Sequence, residues 1–119
     1  MARHNEIGKK GEAIAKAFLL NKGYQFLDAN WRFKRAEIDL IFKDDEILVF
    51  IEVKTRSTDH FGQPEEFLSK KQERLITAAA SAYMDHDWEI RFDIISIIFK
   101  SEQSYSIKHM EDAFFPGLE

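Results

Sequence analysis

The segment from Ile47 to Lys54 constrains the fold more than any other part of the sequence. It reads Ile-Leu-Val-Phe-Ile-Glu-Val-Lys, and its first five residues are all apolar. Successive side chains of a strand point to opposite faces of a sheet, so this strand is apolar on both faces until its last residues. Such a strand lies near the centre of a sheet that is covered on both sides. The segment therefore predicts an α/β domain in which helices flank one sheet.

Two helices are predicted from their periodicity and their end signals. Residues 5–22 carry apolar side chains at helical spacing, with Asn5 as the expected N-terminal cap and Gly23 as the expected stop. A second helix is expected after Ser69, which forms a capping-box pattern with Gln72.

Alternating and apolar runs predict the strands of the sheet, at 24–31, 36–43, 46–55 and 88–99, with a short further partner at 105–107. A loop containing Asp59, Gly62 and Pro64 is expected before the second helix. The predicted order is αβββαβ, a single domain with a central mixed sheet flanked by helices. Its core is expected at about 5–107, followed by a C-terminal tail at 108–119.

Composition excludes several classes of protein. The chain has 119 residues, which suits one domain that buries about two-thirds of its surface. It has no cysteine, so disulfide scaffolds and thiolate metal sites are excluded. No apolar run approaches the roughly 18–20 residues of a membrane span, and no secretory signal opens the chain, so we expect a cytoplasmic protein with no membrane partner. The sequence has no Gly-rich phosphate loop, and we expect no nucleotide cofactor.

The distribution of charge is uneven. The net charge is −4, but residues 1–35 have a balance of +5 and residues 36–119 a balance of −9. A basic section beside a carboxylate-rich one is typical of an anionic partner next to a cation site. Ordinary solvated surface has the same pattern, and charge alone does not separate the two.

The second and third strands carry the residues with the clearest chemistry. Glu37 and Asp39 share one face of the second strand, and Glu52 and Lys54 share one face of the third. A tight turn at 44–45 would place Glu37 opposite Glu52 and Asp39 opposite Phe50. Three carboxylates and one ammonium then converge on one face.

Two interpretations of this face remain open at this point. Charged residues that alternate along strands usually form a solvated, salt-bridged surface. Carboxylates that meet at the end of a covered strand repel each other, and a divalent cation such as Mg²⁺ or Mn²⁺ would remove that penalty.

The first helix contributes another carboxylate. Glu12 precedes Leu19 by seven residues, so it lies at the border of the buried stripe of the helix. Gly8 and Gly11 each lower helix stability by about 1 kcal/mol relative to Ala, which indicates close packing or close approach of a ligand. A Glu that buries its stem and reaches solvent is the alternative for Glu12.

These residues carry a resemblance to a known group of proteins. Asp39 followed by Glu52-Val53-Lys54 is similar to the D…(D/E)-x-K pattern of the restriction-endonuclease-like PD-(D/E)xK superfamily. The ordered motifs more closely resemble the YraN-like family, largely uncharacterised bacterial proteins that look like distant relatives of archaeal Holliday junction resolvases. The motifs are Gly8-Lys9-Lys10-Gly11-Glu12, Glu37-Ile38-Asp39-Leu40-Ile41, Phe50-Ile51-Glu52-Val53-Lys54-Thr55-Arg56 and Arg91-Phe92-Asp93. One departure is Ala36, where the family usually has Gly.

The resemblance implies a restriction-endonuclease-like fold and a set of roles. Asp39 and Glu52 would hold Mg²⁺ or Mn²⁺ with the carbonyl of Val53, and Glu12 would complete the metal site. Lys54 would orient the attacking water or stabilise charge on the phosphate. Glu37 would lie beyond direct contact with the metal, or simply on the surface.

The implied activity is metal-dependent endonucleolytic cleavage of structured nucleic acid, more specifically DNA. The alternative is a catalytically silent nucleic-acid-binding or protein-interaction module of the same fold. The candidate phosphate-binding residues are Lys34, Arg35, Arg56, Lys71 and Arg74. Lys71 is expected to extend the buried stripe of the second helix toward its start.

The resemblance also implies a homodimer, because the resolvases act as symmetric dimers. The apolar segments 94–99 and 114–115 are the candidate contact surfaces. Arg91 and Asp93 share a strand face and are expected to pair with each other.

Overall fold

The structure, a computed structural model, describes residues 2–57 and 68–114 of the chain. The predicted loop with Asp59, Gly62 and Pro64, and also Phe115, lie outside the described residues. The elements are α1 (Ala2–Asn21), β1 (Gln25–Phe33), β2 (Ala36–Asp44), β3 (Ile47–Ser57), α2 (Lys70–Tyr83), β4 (Glu89–Phe99) and β5 (Tyr105–Met110).

The strands form one mixed sheet in the order β1-β2-β3-β4-β5. β3 and β4 are parallel, and the other neighbouring strands are antiparallel. Ala15 and Leu19 of α1 belong to one apolar cluster, while Ile76, Ala79 and Ala80 of α2 belong to another. β2 and β3 contribute side chains to both clusters, so a helix covers each face of the sheet. This confirms the α/β prediction and is compatible with an αβββαβ-type domain.

The two ends of α1 differ in how well they were predicted. The helix begins at Ala2, so the prediction that Asn5 caps it is wrong. Ala and Arg are strong helix formers, and Ala2-Arg3 extend the helix beyond the expected cap. At the other end Gly23 has φ 95°, Tyr24 N–H donates to Leu19 O, and Gly23 N–H donates to Leu20 O. These two hydrogen bonds form a Schellman motif, which confirms Gly23 as the stop.

The start of α2 is as predicted. Ser69 Oγ accepts a hydrogen bond from Gln72 N–H, and Gln72 Oε1 accepts one from Ser69 N–H. Both halves of the capping box are therefore present. Lys71, however, is exposed, so the expectation that it extends the buried stripe is wrong. The long side chain of Lys71 leaves the stripe to keep its ammonium in water.

The β2–β3 turn lies one residue later than expected. Asp44 pairs with Ile47, so the turn is Asp45-Glu46, with Asp45 in a left-handed conformation (φ 58°). Phe50 pairs with Ile41 and not with Asp39. The predicted pairs of Glu37 with Glu52 and of Asp39 with Phe50 are therefore wrong. The sequence Asp44-Asp45-Glu46 offers two adjacent positions for the turn, and local preferences do not choose between them. An even change of register does not by itself turn side chains to the other face. Ile38 and Leu40, however, pack in different apolar clusters, so the regular alternation assumed for Glu37 and Asp39 does not hold along β2.

The last strand and the segment after it complete the fold. β5 extends to Met110, and beyond it Ala113 N–H donates to Phe92 O while the ring of Phe114 stacks on Phe92. The segment 94–99 is largely buried in β4 between two other strands, so it is core and not a free contact surface for a second copy. Within the described residues, neither helix has the length and apolar character needed to cross a membrane.

Candidate functional site

The candidate site lies where β2 and β3 separate. Their ladder runs from the turn to the pair Leu40 and Ile51. One residue farther, the Val53 N–H donates a hydrogen bond to Asp39 Oδ2 at 2.8 Å. The carboxylate thus takes the place of a strand carbonyl and is fixed against the edge of β3.

A local irregularity in β2 accompanies this separation. Ile38 belongs to the apolar cluster under α2, and Leu40 belongs to the cluster under α1. Alternate residues of a regular strand share one face, so the alternation shifts at Asp39. Asp39 is buried, with 9% of its surface exposed.

Asp39 is buried, Glu52 is half-buried, and their carboxyl groups act on each other. Burial raises the pKa of Asp39 to about 6, opposed by the hydrogen bond from Val53 and increased by the charge of Glu12. Burial, the charge of Asp39 and a hydrogen bond with Asp39 raise the pKa of Glu52 to about 8. Each carboxyl group is therefore harder to ionise than an exposed one, because both are shielded from solvent and each opposes charge on the other.

Glu12 reaches this pair from α1. Its Oε1 accepts a hydrogen bond from Asn30 Nδ2 at 3.0 Å, and its charge acts on Asp39. Glu12 is half-buried, as expected at the border of the stripe. Asn30 was missed in the sequence, although an Asn inside a strand pattern is a signal for a left-handed residue.

The two glycines of α1 have different surroundings. A Cβ at Gly11 would lie 2.2 Å from Thr55 Oγ1, so the absence of a side chain lets α1 approach β3 beside Lys54. A Cβ at Gly8 would meet nothing within 4 Å. The predicted close packing therefore applies to Gly11 and not to Gly8.

Glu37 and Lys54 lie at the margin of the pair. Glu37 Oε2 is 3.5 Å from Arg32 Nε, and its charge raises the pKa of both Asp39 and Glu52. The half-buried ammonium of Lys54 lowers the pKa of Glu52, but not enough to offset the burial of that carboxyl group. Glu52 is thus affected by all three of the other charged residues of the predicted face, and Asp39 by Glu52 and Glu37.

The carboxylates are not arranged as a complete set of metal ligands. In residues 2–57 and 68–114, no group of three or more His, Cys, Asp or Glu side chains has a geometry that would hold a metal ion. Asp39 is the buried carboxylate of the site, Glu52 is half-buried, and Glu12 accepts a hydrogen bond from Asn30.

The candidate phosphate-binding residues lie on three elements. Lys34 and Arg35 are exposed in the turn between β1 and β2, and Lys34 Nζ lies 5.3 Å from the centre of the Phe33 ring. Arg56 is half-buried near the end of β3, with its guanidinium donating to Thr55 O. Lys71 and Arg74 are exposed in the first turns of α2.

A second group of buried charges lies around Arg91. The guanidinium of Arg91 donates to both carboxylate oxygens of Asp93, which confirms the predicted pair, and also to Asp44 and Tyr24. Asp93 further contacts His109 Nε2 at 2.7 Å. Burial would raise the pKa of Asp93, but the hydrogen bonds from His109 and Arg91 outweigh it and lower that pKa.

Comparison with known proteins places the chain among uncharacterised relatives. The model of the family described as "Uncharacterised protein family UPF0102" matches residues 11–97. A UPF0102 protein of Flavobacterium psychrophilum is 46% identical over 97% of this chain and 98% of its own length. A UPF0102 protein of Christiangramia forsetii is likewise 46% identical, with the same coverage. One of Parabacteroides distasonis is 42% identical over 97% of each chain.

Proposed function

The chain belongs to the UPF0102 family of uncharacterised proteins, and we propose that it is a divalent-metal-dependent nuclease that hydrolyses phosphodiester bonds in structured DNA. The observation that carries the proposal is the placement of Asp39 and Glu52 at the point where β2 and β3 part, where Asp39 is held by the Val53 N–H and the pKa of both carboxyl groups is raised. Two such carboxyl groups destabilise a fold when they are charged, unless a cation neutralises them. Pairs of this kind are common at functional sites.

The donor set fits Mg²⁺ or Mn²⁺. Both are hard cations that prefer oxygen ligands, and Mg²⁺ is typically bound by one or two carboxylates together with several waters and substrate phosphates. A pair of carboxylates without a third ready ligand is sufficient for that mode of binding. Asp39 and Glu52 would hold the ion. The carbonyl of Val53 would assist, because it shares an edge of β3 with the N–H that binds Asp39.

The residues around the pair supply the remaining parts of a hydrolytic site. When bound, the metal ion would neutralise charge on the scissile phosphate and lower the pKa of an attacking water. Lys54 would direct its ammonium toward the developing negative charge on the phosphate. In hydrolysis the water oxygen bonds to phosphorus, the P–O ester bond breaks, and the departing oxygen takes a proton.

Exposed cations beside the pair support a nucleic-acid substrate. Arg32, Lys34 and Arg35 lie within four residues at one end of the β1–β2 hairpin, and Arg32 contacts Glu37 next to the site. Phosphate contacts by such residues position a backbone without reading its sequence. The hairpin end would therefore hold the strand whose phosphate reaches Asp39 and Glu52.

Cleavage assays test the proposal. Purified protein is incubated with branched, single-stranded and linear duplex DNA in Mg²⁺, in Mn²⁺ and in EDTA. We expect metal-dependent cleavage of the branched or single-stranded DNA that is abolished in Asp39→Asn and Glu52→Gln. Glu46→Gln is the matched control, since it neutralises an exposed carboxylate at the opposite end of the same hairpin.

The outcomes separate the proposal from the alternative. The lack of a complete ligand group in the described residues favours the alternative, a binding module of the same fold. DNA binding with no cleavage in either metal, unchanged in both site variants, would establish that module and overturn the nuclease. No affinity for DNA or RNA at low salt would leave a protein-interaction module.

A further inference from the structure

The turn between β1 and β2 contains a residue that its backbone conformation does not favour. Phe33 pairs with Ala36, so Lys34 and Arg35 form a two-residue turn. Lys34 has φ 56°, in the left-handed region, and such turns are ordinarily built from Asn, Asp and Gly, which adopt positive φ at little cost. A lysine in this conformation destabilises the fold, and residues that break a local rule in this way are often retained for a function.

The turn between β2 and β3 shows what the backbone alone selects. It is also a two-residue turn, and its first residue, Asp45, has φ 58°. Among the described residues other than glycine, positive φ occurs at Asn30, Lys34, Asp45 and Asp112, so Lys34 is the exception to Asn and Asp. The β1–β2 turn thus presents two cations where the backbone favours a different residue.

An aromatic ring lies directly beside these cations. Phe33 is half-buried on β1, which is an edge strand of the sheet, and Lys34 Nζ lies 5.3 Å from the centre of its ring. The rings of Phe33 and Trp31 are parallel within 4°, with their centres 6.4 Å apart, and the ring of Tyr83 contacts Trp31 edge-on. Phe33 therefore ends a row of rings next to the turn.

The Phe33 ring and the candidate site lie on the same side of the sheet. Phe33 and Phe50 both pack in the apolar cluster under α2. Glu52 lies two residues after Phe50 on β3, so its side chain points to that same side. Along β2, Ala36, the partner of Phe33, precedes Asp39 by three residues, which is about 10 Å in a strand. A short polynucleotide spans that distance.

We propose that the end of the β1–β2 hairpin binds an unpaired segment of nucleic acid, with a base stacked on Phe33 and its phosphates on Lys34 and Arg35. The inference rests on the proposed function for the class of ligand, and it names single-stranded DNA as the form that the site takes up. Stacking on an aromatic side chain needs an unstacked base, whereas a base inside a duplex is covered by its neighbours. The cations hold the phosphates without reading the sequence.

Fluorescence anisotropy of the full chain with a labelled oligothymidylate of about 12 nucleotides tests the inference. The titration is done in EDTA, so that binding is measured without cleavage. Phe33→Leu keeps an apolar side chain in the cluster and removes the ring, and we expect affinity for the single strand to fall about 10-fold. Affinity for a duplex of the same length should stay as in the wild type, because the contacts to a duplex are made to its phosphates.

Phe26→Leu is the matched control for the ring. Phe26 is also half-buried on β1 and has the ammonium of Lys16 over its ring, but it packs in the cluster under α1. This variant should bind both forms of DNA as the wild type does. A loss in Phe26→Leu equal to that in Phe33→Leu would show that β1 is merely destabilised, and would overturn stacking on Phe33.

Lys34→Asn tests the cation and changes no ring. Asn adopts φ 56° more readily than Lys, so we expect a higher unfolding temperature together with weaker binding of the oligonucleotide. Loss of one phosphate contact should reduce the slope of log affinity against log salt by about 0.7, whereas Phe33→Leu should keep the wild-type slope. Lys100→Asn is the control, since it removes the same charge from an exposed lysine after β4 and should keep the slope.

The remaining outcomes separate this inference from the proposed function. Wild-type affinity in Phe33→Leu, or equal losses of its affinity for the single strand and the duplex, would overturn the inference and leave the nuclease standing if the wild type cleaves DNA. The expected losses in a protein that cleaves no DNA in Mg²⁺ or Mn²⁺ would support this binding site and overturn the nuclease. A wild type that binds no single strand would overturn the inference, and the cleavage assays would still decide on the nuclease.

Discussion

At the scale of single residues, Glu52 is the side chain whose position is hardest to explain by stability. Its carboxyl group is largely shielded from solvent beside a second carboxyl group, and its pKa is raised to about 8. A neutral side chain of the same shape would avoid both the burial of charge and the repulsion. Sites that depart from the stable choice in this way are often functional.

A substitution at Glu52 measures how much this carboxyl group destabilises the fold. We expect Glu52→Gln to raise the free energy of unfolding of the metal-free protein by about 1 kcal/mol at pH 8–9, because it removes a buried charge. The same variant should lose Mn²⁺ binding. Urea unfolding in EDTA measures the first effect, and calorimetry the second.

Glu37→Gln is the control for that experiment. Its carboxylate is partly exposed and pairs with Arg32, so its replacement should change stability by less than about 0.5 kcal/mol. A Glu52→Gln protein less stable than the wild type at pH 8–9 would show that the Glu52 charge is satisfied in the fold.

The pH dependence of stability follows from the same pair. The pKa values of Asp39 and Glu52 are raised to about 6 and about 8, so the folded state binds protons more tightly than the unfolded chain, whose carboxyl groups titrate near 4. This stabilisation is complete below about pH 4 and is lost as the pH rises toward 8. We expect the free energy of unfolding in EDTA to fall between pH 5 and 8.

The slope of that fall identifies its source. Glu52→Gln removes one of the two titrating groups and should reduce the slope between pH 6 and 8, whereas Glu46→Gln should leave it unchanged. An unfolding free energy that rises across this range in the wild type would contradict the raised pKa values of Asp39 and Glu52.

At the scale of elements, the contact of α1 with β3 determines where Glu12 lies. We expect Gly11→Ala to destabilise the protein by about 1–3 kcal/mol, because its Cβ would lie 2.2 Å from Thr55 Oγ1. Gly8→Ala is the matched control in the same helix. Its Cβ meets nothing within 4 Å, so it should stabilise the protein by up to about 1 kcal/mol.

Thermal unfolding of the two variants checks this pair of predictions. Thr55→Ala removes the atoms in closest conflict, and it should restore part of the stability that Gly11→Ala loses. Equal effects of the two alanines would mean that Gly11 is retained for a reason other than packing.

The elements also show what the sequence could and could not predict. The capping box of α2 and the glycine stop of α1 are local signals, and the structure confirms both. The turn at Asp45-Glu46 was misplaced by one residue, because neighbouring Asp and Glu residues give equivalent turn signals. An even change of register keeps side chains on their faces, but the sequence predicted neither the facing partner of Asp39 nor the shift in the alternation of β2 at Asp39.

Other features of the site depend on contacts that no local pattern encodes. The left-handed Asn30 lies 18 residues from Glu12, and their hydrogen bond exists only once α1 packs beside β1. The hydrogen bond from Val53 to Asp39 arises where a ladder ends. Apolar periodicity predicts which face a residue takes, but it does not predict where two strands part.

At the scale of the whole molecule, the buried group around Arg91 joins distant parts of the chain. Arg91 and Asp93 of β4 contact Tyr24 before β1, Asp44 at the end of β2 and His109 of β5. Of these contacts, the sequence predicted only the pair within β4. Asp93 pairs with Ile51 in the β3–β4 ladder, one residue before Glu52, and successive side chains of a strand point to opposite faces, so the Asp93 and Glu52 side chains lie on opposite faces of the sheet.

This separation allows stability and site chemistry to be changed independently. Asp93→Asn would remove the carboxylate that accepts two hydrogen bonds from the buried Arg91 guanidinium and leave Asp44 as its remaining close carboxylate, and we expect a loss of about 3 kcal/mol in the free energy of unfolding. Glu111→Gln is the control, since Glu111 is half-exposed and 3.8 Å from Arg91, and it should cost less than about 1 kcal/mol. Urea unfolding at pH 7 measures both variants.

Binding of Mn²⁺ to the Asp93→Asn variant then shows whether the group around Arg91 and the pair of Asp39 and Glu52 are coupled. Asp93→Asn protein that remains folded at 10 °C should bind Mn²⁺ with wild-type affinity, because the Asp93 side chain lies on the face of the sheet opposite to that of Glu52 and its substitution changes no donor at the site. If affinity falls together with stability, the carboxyl pair depends on the packing of the whole sheet. In that case the variants at Asp39 and Glu52 would have to be compared at equal stability before any loss of activity is assigned to their chemistry.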